Sequence, residues 1–379
     1  MVFKIWGMVW VFPVGVFCVE RVGGGTFSAV RRREPASAAR PRSDRGPRCG
    51  PCPTIARRSS GSEPPSRMRL QPSCGGSSRI GRLSSPGVGG GWTLRRLHDV
   101  YLWRRLARAS TVEQVPVPRP AAGEVLVQLV ATSVNLSDWE TLRGDPFYAR
   151  IGGLTRPVRR ILGSDIAGMV VAIGRGVSRF AVGDEVYGDI LERKGGFAEY
   201  AVAPESALAR KPAQLSFAQA AAIPQPGEIA VEAMTKARPG SRLLVNGAGG
   251  GSGAFLLQLA KAAGMHVTGV DNAGKLDFMR LMGADETIDY REQDFTRTGP
   301  YDLVIDLVAY RSVFAYRRAL APGGRCFVVG GTTRVLIRML TVGALVGLVS
   351  GTRLGALAVT GNAAKRGGAG VNLAGTHAL

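Results

Sequence analysis

The sequence predicts a β-rich module followed by a doubly wound parallel α/β sheet, and three observations carry that expectation. Between about residues 240 and 331, short apolar strands alternate with helical patterns at regular spacing, the arrangement that produces a parallel sheet. Between about 115 and 215, several short strand-favouring runs are separated by Gly, Pro and Asp, which suits a mostly antiparallel barrel or sandwich. Ahead of both, residues 22–96 are rich in Arg, Pro, Ser and Gly and show no apolar period. Such a stretch buries too little surface to offset its ordering entropy, so a disordered extension is expected over 1–95.

A length of 379 residues leaves room for two ordinary domains beside that extension. The 49 Lys+Arg outnumber 28 Asp+Glu, but residues 1–110 hold 20 of the basic and only 5 of the acidic side chains. The rest of the chain is balanced like an ordinary globular protein, so the high pI does not point to nucleic-acid binding by the folded part. Arg31 to Arg33 and Arg57-Arg58 have no interleaved aromatics for base stacking. Composition excludes a fibrous, wholly disordered or multi-span membrane protein. Residues 5–19 form a mostly apolar run after Lys4, like the core of a secretion signal. Pro13, Gly15 and the lack of a clear cleavage site favour a plain extension, and the run is shorter than a spanning helix needs. Cys49-Gly-Pro-Cys52 is a Cys-x-x-Cys pair, but prolines surround it and no strand or helix pattern flanks it, so a redox role is not expected.

In the β-rich module the strands are expected at 124–134, bounded by Gly123 and Asn135, and at 166–173, 184–189 and 197–203. The α/β part begins at the Pro239-Gly240 turn. It continues with a strand at 242–246, a helix at 254–263 capped by Gly264, and a strand at 266–270 ending in Asp271. A helix at 275–282 stopped by Gly283, a strand at 301–306, a helix at 311–320 and a strand at 324–331 complete it.

Between the first strand and helix runs Gly247-Ala248-Gly249-Gly250-Gly251-Ser252-Gly253. Glycines at this place let the chain turn tightly, bring backbone N–H groups close to a pyrophosphate at the helix N-terminus, and pack the helix on the sheet. Ala248 replaces the first glycine of the usual Gly-x-Gly-x-x-Gly spacing, and Asp271 follows Gly253 by 18 positions. The seven loop residues are therefore candidate NAD or NADP ligands. Asp271 could accept a hydrogen bond from the ribose 2′-hydroxyl, favouring NAD, or be an exposed carboxylate at a strand end. Lys275 could pair with a 2′-phosphate, favouring NADP, or be a surface lysine. The two cofactors stay equally open.

Further motifs recur in order across both modules: Gly123-Glu-Val-Leu-Val127, Ser133-Val-Asn-Leu-Ser-Asp-Trp139, Leu162-Gly-Ser-Asp-Ile-Ala-Gly168, Val182-Gly-Asp-Glu-Val-Tyr187 and Gly195-Gly-Phe-Ala-Glu-Tyr200. Ala221-Ala-Ile-Pro224, Gly283-Ala-Asp285 and Ile288-Asp-Tyr290 follow. Over about residues 112–345 this series resembles the medium-chain dehydrogenase/reductase superfamily, in its zinc-independent quinone oxidoreductase (zeta-crystallin-like) branch. The resemblance implies a GroES-like barrel (96–225), a Rossmann domain (226–350) and an active site in the cleft between them. It implies that Asn135 lies beside nicotinamide and substrate as the candidate catalytic residue. Asp138 and Tyr148 are weaker candidates with structural roles more in keeping. Tyr290 matches a position near the adenosine half of the cofactor, with a packed aromatic as the alternative. Zinc-dependent relatives place Cys where this chain has Asn135 and His-Glu where it has Ser164-Asp165, so no zinc is expected. Hydride transfer from NAD(P)H to a quinone, enone or other activated carbonyl compound is the implied reaction, because it needs no Lewis acid to stabilise an alkoxide.

Two departures weigh toward the alternative of a non-catalytic NAD(P)-binding or structural protein. Residues 95–111 fit the family's opening strand poorly, and after Leu357 the resemblance fades into a linker-like tail where the catalytic barrel would be completed. The apolar stretch 335–359, interrupted by Arg338 and Arg353, reads as core or dimer interface, not a span. The expected partners are a small-molecule substrate, no specific nucleic acid and no membrane, with a homodimer as a candidate assembly and the cytoplasm as the location.

Overall fold

The computed structural model describes residues 113–150, 153 and 159–359, together with N-terminal strands β1 (Val2–Ile5), β2 (Met8–Val11), β3 (Phe17–Val22), β4 (Thr26–Ala29), β5 (Gly90–Arg96) and β6 (Ser110–Pro116). The expectations for Cys49 and Cys52, for the arginine clusters and for the tail from Thr360 lie outside the described residues.

The β-rich module is built on β7 (Glu124–Val134), β8 (Asp165–Ile173), β9 (Glu185–Asp189), β10 (Tyr200–Pro204) and β11 (Leu208–Arg210). All neighbours are antiparallel, in the order β11-β9-β8-β7, with β10 and β3 also on β7. Val125, Val127, Leu129, Ile166, Val170, Val186 and Leu208 fill one core beneath this sheet. Gly168 lets β8 bulge against β7: a Cβ there would sit 2.1 Å from the Gln128 carbonyl oxygen. Beyond β7 the chain turns at Asn135 into α1 (Leu136–Arg143), which Gly144 ends in the left-handed region at φ +58°.

Two helices, α2 (Phe217–Ala221) and α3 (Pro224–Met234), lead into the second module, and Pro224 opens the latter at a position where its missing N–H costs nothing. The order is then β12 (Arg242–Asn246), α4 (Gly251–Ala262), β13 (His266–Asp271), α5 (Leu276–Leu281), β14 (Glu286–Asp289), β15 (Tyr301–Asp306), α6 (Val313–Ala319), β16 (Leu320–Val328), α7 (Thr333–Leu340), α8 (Val342–Ser350) and β17 (Arg353–Ala356). All six strands are parallel, in the order β14-β13-β12-β15-β16-β17. Leu243, Leu244, Val245, Val304 and Ile305 are buried without alternation, because helices cover both faces of the central strands.

The strands expected at 242–246 and 301–306 have those bounds, whereas α4 starts three residues earlier than its apolar pattern, inside the glycine loop. The sequence pattern did not resolve β14 and β17. They are short edge strands carrying Glu286, Asp289 and Arg353, the residues by which an edge resists further pairing. Of the stretch 335–359, expected as core or dimer interface, Met339, Leu354 and Leu357 lie in the core, whereas most of 342–349 does not. α8 presses its glycines, Gly343 and Gly347, toward β17, and its bulky side chains face away from the fold.

One carboxylate joins the two halves of the parallel sheet. Asp306, fully buried at the end of β15, accepts from Asn246 Nδ2 (2.8 Å), the N–H groups of Val308 (2.8 Å) and Ala309 (2.7 Å) and Tyr316 Oη (2.7 Å). Replacing it leaves four donors, three of them buried, without an acceptor. Asp306→Ala should therefore cost about 4 kcal/mol, and Tyr316→Phe only about 1–2 kcal/mol, in urea unfolding. A loss below about 1 kcal/mol for Asp306→Ala would contradict this role.

Candidate active site

The strand order reverses between β12 and β15, and ligands of doubly wound sheets bind in the crevice outside the carboxyl ends at that point. The glycine loop lies there. Gly247, at φ +85°, turns the chain off β12 and donates its N–H to the Val270 carbonyl at 2.9 Å; Ala248 donates to the same oxygen at 3.1 Å. Gly250 caps α4 without any side-chain bond, and Gly251, Ser252 and Gly253 form its first turn. The first N–H groups of this 12-residue helix thus have no capping side chain, which suits a pyrophosphate. A Cβ on Gly253 would stand 2.5 Å from Ala248 Cα, so only glycine permits the helix this close to the loop.

At the next strand end Asp271 is heavily engaged. It accepts from Gly249 N–H (3.1 Å), Lys275 Nζ (3.3 Å) and both the N–H and Nδ2 of Asn272 (2.8 and 2.9 Å). Tyr290 follows β14, donates its N–H to the Asp271 carbonyl at 3.1 Å, and leaves its ring half exposed. The guanidinium of Arg291 lies 5.6 Å from that ring's centre. The structure thus brings Gly249, Asp271, Lys275 and Tyr290 to one corner and adds Arg291, whose signal in the sequence was its place beside Tyr290.

Asn135 belongs to a second cluster, built where β7 ends and α1 begins. Its backbone N–H donates to Asp138 Oδ2 (3.1 Å), and its Nδ2 donates to Asp165 Oδ2 (2.8 Å). Asp165, at the start of β8, also accepts from Ser133 Oγ (3.1 Å) and from Gln225 N–H (3.2 Å) at the start of α3. Asp189 is its direct partner across the β8–β9 ladder. Burial, then the Asp189 carboxyl, push Asp165 well above the usual carboxylate range, against the donors from Asn135 and Gln225. Burial likewise pushes Asp189 up to about 6, opposed by Leu191 N–H and by Lys194. Asp138 forms a buried ion pair with Lys194 (3.2 Å) and accepts from Gly163 N–H (3.2 Å).

Two contacts relate this cluster to the rest. Ser137 Oγ donates to Gln225 Oε1 (2.9 Å), and Tyr148 Oη stands 3.2 Å from the Gly331 carbonyl just past β16, and 3.3 Å from Glu140. α1 and its neighbours therefore border the carboxyl edge of the parallel sheet. Ser164 Oγ is fully buried and has no hydrogen-bond partner among the described residues. Sequence reasoning weighed Ser164 and Asp165 only against zinc ligands and did not anticipate the links to Asp189, Lys194 and Gln225.

The raised Asp189 carboxyl makes a signed prediction. Its protonated form contributes stability below about pH 4, and that contribution is lost as pH rises through about 6. Asp189→Asn should hence stabilise the protein relative to the parent at about pH 7 and not at about pH 4, with Leu191 N–H keeping its acceptor. Equal differences in thermal midpoint at both pH values would refute it.

Residues 121–213 match the family model of the alcohol dehydrogenase GroES-like domain, and residues 251–359 match that of the zinc-binding dehydrogenase. A chloroplast envelope quinone oxidoreductase homolog of Arabidopsis thaliana is 39% identical over 189 residues, 47% of this chain and 56% of that protein. A zinc-type alcohol dehydrogenase-like protein of Schizosaccharomyces pombe is 32% identical over 253 residues, 62% of this chain and 72% of that protein. Among solved structures, the quinone oxidoreductase from Coxiella burnetii superposes with a TM-score of 0.65 at 25% identity, covering 75% of this chain and 88% of that one. The chain spans little more than half the length of the first of these relatives. With a GroES-like β module, a six-stranded Rossmann sheet and these matches, the chain belongs to the medium-chain dehydrogenase/reductase superfamily.

Proposed function

We propose that this chain is an NADPH-dependent reductase of quinones, enones or other activated carbonyl compounds that works without zinc. The observation that carries the reading is the pairing of a glycine-loop crevice at the β12/β15 reversal with an amide, Asn135, held by a buried carboxylate beside that edge. The relatives' quinone oxidoreductase names support it.

The residues fit a dinucleotide. The uncapped first turn of α4 accommodates a pyrophosphate, and the orphaned Ser164 hydroxyl is a buried donor awaiting a ligand. Asp271 already has four donors, while Lys275 and Arg291 stand at the same corner as cations, so a 2′-phosphate is better matched there than a 2′-hydroxyl. The donor set at Asn135, Ser164 and Asp165 does not fit zinc: an amide, a hydroxyl and a carboxylate already bonded to Asn135, Ser133 and Gln225 replace the thiolate and imidazole that zinc takes.

A reduced nicotinamide, when bound, supplies the hydride. Asn135 orients the acceptor, because Asp165 fixes its amide and prevents it from rotating with each ligand. Addition of hydride to a conjugated acceptor leaves negative charge on the carbonyl oxygen. The Ser164 hydroxyl, which has no partner among the described residues, can meet it before solvent delivers the proton.

Lys275→Ala should weaken NADPH binding about tenfold and leave NADH binding nearly unchanged, measured by titration of each cofactor. Equal loss for both would assign Lys275 to the fold instead of the phosphate. Asn135→Ala should lower kcat with quinone or enone acceptors by about a hundredfold at unchanged NADPH affinity, followed by loss of NADPH absorbance. An unchanged kcat, or no turnover by the parent with any acceptor, would count against the reading.

A further inference from the structure

Reduction of a conjugated acceptor needs a proton as well as a hydride, because the electron pair that enters at the β-carbon turns the α-carbon and carbonyl into a base. Two side chains outside the Asn135 cluster form a hydrogen-bonded pair at the edge where that proton is needed. Glu140 lies in α1, and Tyr148 lies in the short 3-10 turn Phe147–Arg150 that follows it. Both are half-buried. Tyr148 Oη stands 3.3 Å from each carboxyl oxygen of Glu140 and 3.2 Å from the Gly331 carbonyl oxygen.

A phenolic hydroxyl has one hydrogen to give, and a carbonyl oxygen has none to return. Tyr148 therefore makes a full hydrogen bond to both neighbours only when Glu140 is a carboxylic acid. Glu140 then donates to Tyr148 Oη, and Tyr148 donates to the Gly331 carbonyl. The surroundings favour this form. Burial raises the Glu140 carboxyl above its usual range, against the Tyr148 hydroxyl; Asp145 raises it further and Lys194 lowers it. Lys194 is tied to Asp138 (3.2 Å), Arg143 to Asp145 (3.6 Å), and Arg150 Nε donates to the Gly144 carbonyl (2.6 Å). Burial and then Glu140 hold Tyr148 well above the ordinary phenol value, so it stays a hydroxyl.

The pair meets the Rossmann module at the carboxyl end of its sheet. Gly330 and Gly331, at φ +67° and +91°, turn the chain off β16 and present the Gly331 carbonyl to Tyr148. Apart from its chain neighbours, Tyr148 Oη is the only group among the described residues within 4 Å of where a Cβ on Gly330 would stand. The hydroxyl thus has open space beside it. Lys194 acts on both Glu140 and Asp189, so the pair adjoins the Asn135 cluster.

We infer that Glu140 is the proton source of the reaction and that Tyr148 passes the proton to the reduced acceptor. The inference rests on the reductase reading. With an enone, a C–H bond forms at the β-carbon, which takes hydrogen and an electron pair from the reduced nicotinamide, and the π pair moves onto the α-carbon and carbonyl. The Tyr148 O–H bond breaks as its proton closes a C–H bond at the α-carbon. The Glu140 O–H bond breaks as its proton refills the Tyr148 oxygen. Glu140 is left a carboxylate and takes its next proton from water. A quinone asks for less, because its product is protonated on oxygen, which exchanges with water unaided.

The test has a cofactor-free arm and a turnover arm. Isotopic labelling of glutamate at its side-chain carboxyl carbon keeps Asp165 and Asp189 silent in a nuclear magnetic resonance titration. One resonance should titrate above the ordinary glutamate range and vanish in Glu140→Gln. Its absence from the parent would overturn the inference whether or not the chain is a reductase. In turnover with NADPH, an α-methyl cyclic enone should give one enantiomer of the saturated ketone, since the proton arrives from one side. The parent's kcat with this enone should fall as pH rises through the Glu140 titration, a limb that Glu140→Gln lacks. Glu140→Gln and Tyr148→Phe should each lower the ratio of enone to quinone kcat about a hundredfold and yield racemic ketone. A defect of fold or cofactor seating would lower both acceptors alike. Racemic ketone from the parent, or equal losses with both acceptors, would overturn the inference and leave the reductase reading standing. No turnover by the parent with any acceptor would overturn both.

Discussion

The side chain on which most of the β module's site depends is the carboxylate of Asp165. It has no exposed surface, and its donors come from β7 through Ser133, from the α1 cap through Asn135 and from the start of α3 through Gln225. α3 in turn packs against α4, the helix that opens from the glycine loop. The orientation of the Asn135 amide and the seating of the helix behind the nucleotide crevice are thus referred to one group. Burying that group beside Asp189 is costly for either carboxylate; Asp138 adds to the cost for both, and Lys194 offsets part of it at Asp189. Such concentrations of strained titration are characteristic of sites that hold a ligand, where desolvated groups are arranged before the ligand arrives.

Asp306 plays the corresponding part in the second module, but its work is mechanical. By gathering Asn246, Tyr316 and two loop N–H groups, it closes the sheet at the reversal and sets the walls of the crevice. The glycine loop lies across that opening, and its two demanding positions have different causes. Gly247 is needed for its positive φ, and Gly253 for the absence of a side chain against Ala248. Ala248 in place of the usual first glycine is tolerated because its methyl group is buried in the core formed with Leu243, Val245 and Leu256.

Charge is unevenly distributed through the folded part as well as along the chain. Acidic groups concentrate at Asp138, Asp165, Asp189, Asp271 and Asp306, all at strand ends or helix starts where backbone donors meet them. The last part of the Rossmann sheet has only arginine. Four of those carboxylates, Asp138, Asp165, Asp189 and Asp306, are buried, whereas Arg334, Arg338 and Arg353 of the last part are exposed.

What the sequence by itself determined is whatever depends on neighbours in the chain. The glycine loop between β12 and α4, the strands at 124–134 and 301–306, and the acidic strand end at Asp271 are local, because backbone turning and periodicity are decided within a few residues. The order of motifs across both modules carried the superfamily assignment in the same way. The tertiary structure alone decided what meets across distance. Asp165 reaches Asn135 over 30 positions and Lys194 reaches Asp138 over 56. β14 and β17 become strands only because a neighbour offers them a ladder. The sidedness of α8 was likewise not legible, since an apolar run reads the same whether its large residues face the core or the solvent, and only the glycine contacts on β17 settle which side turns outward.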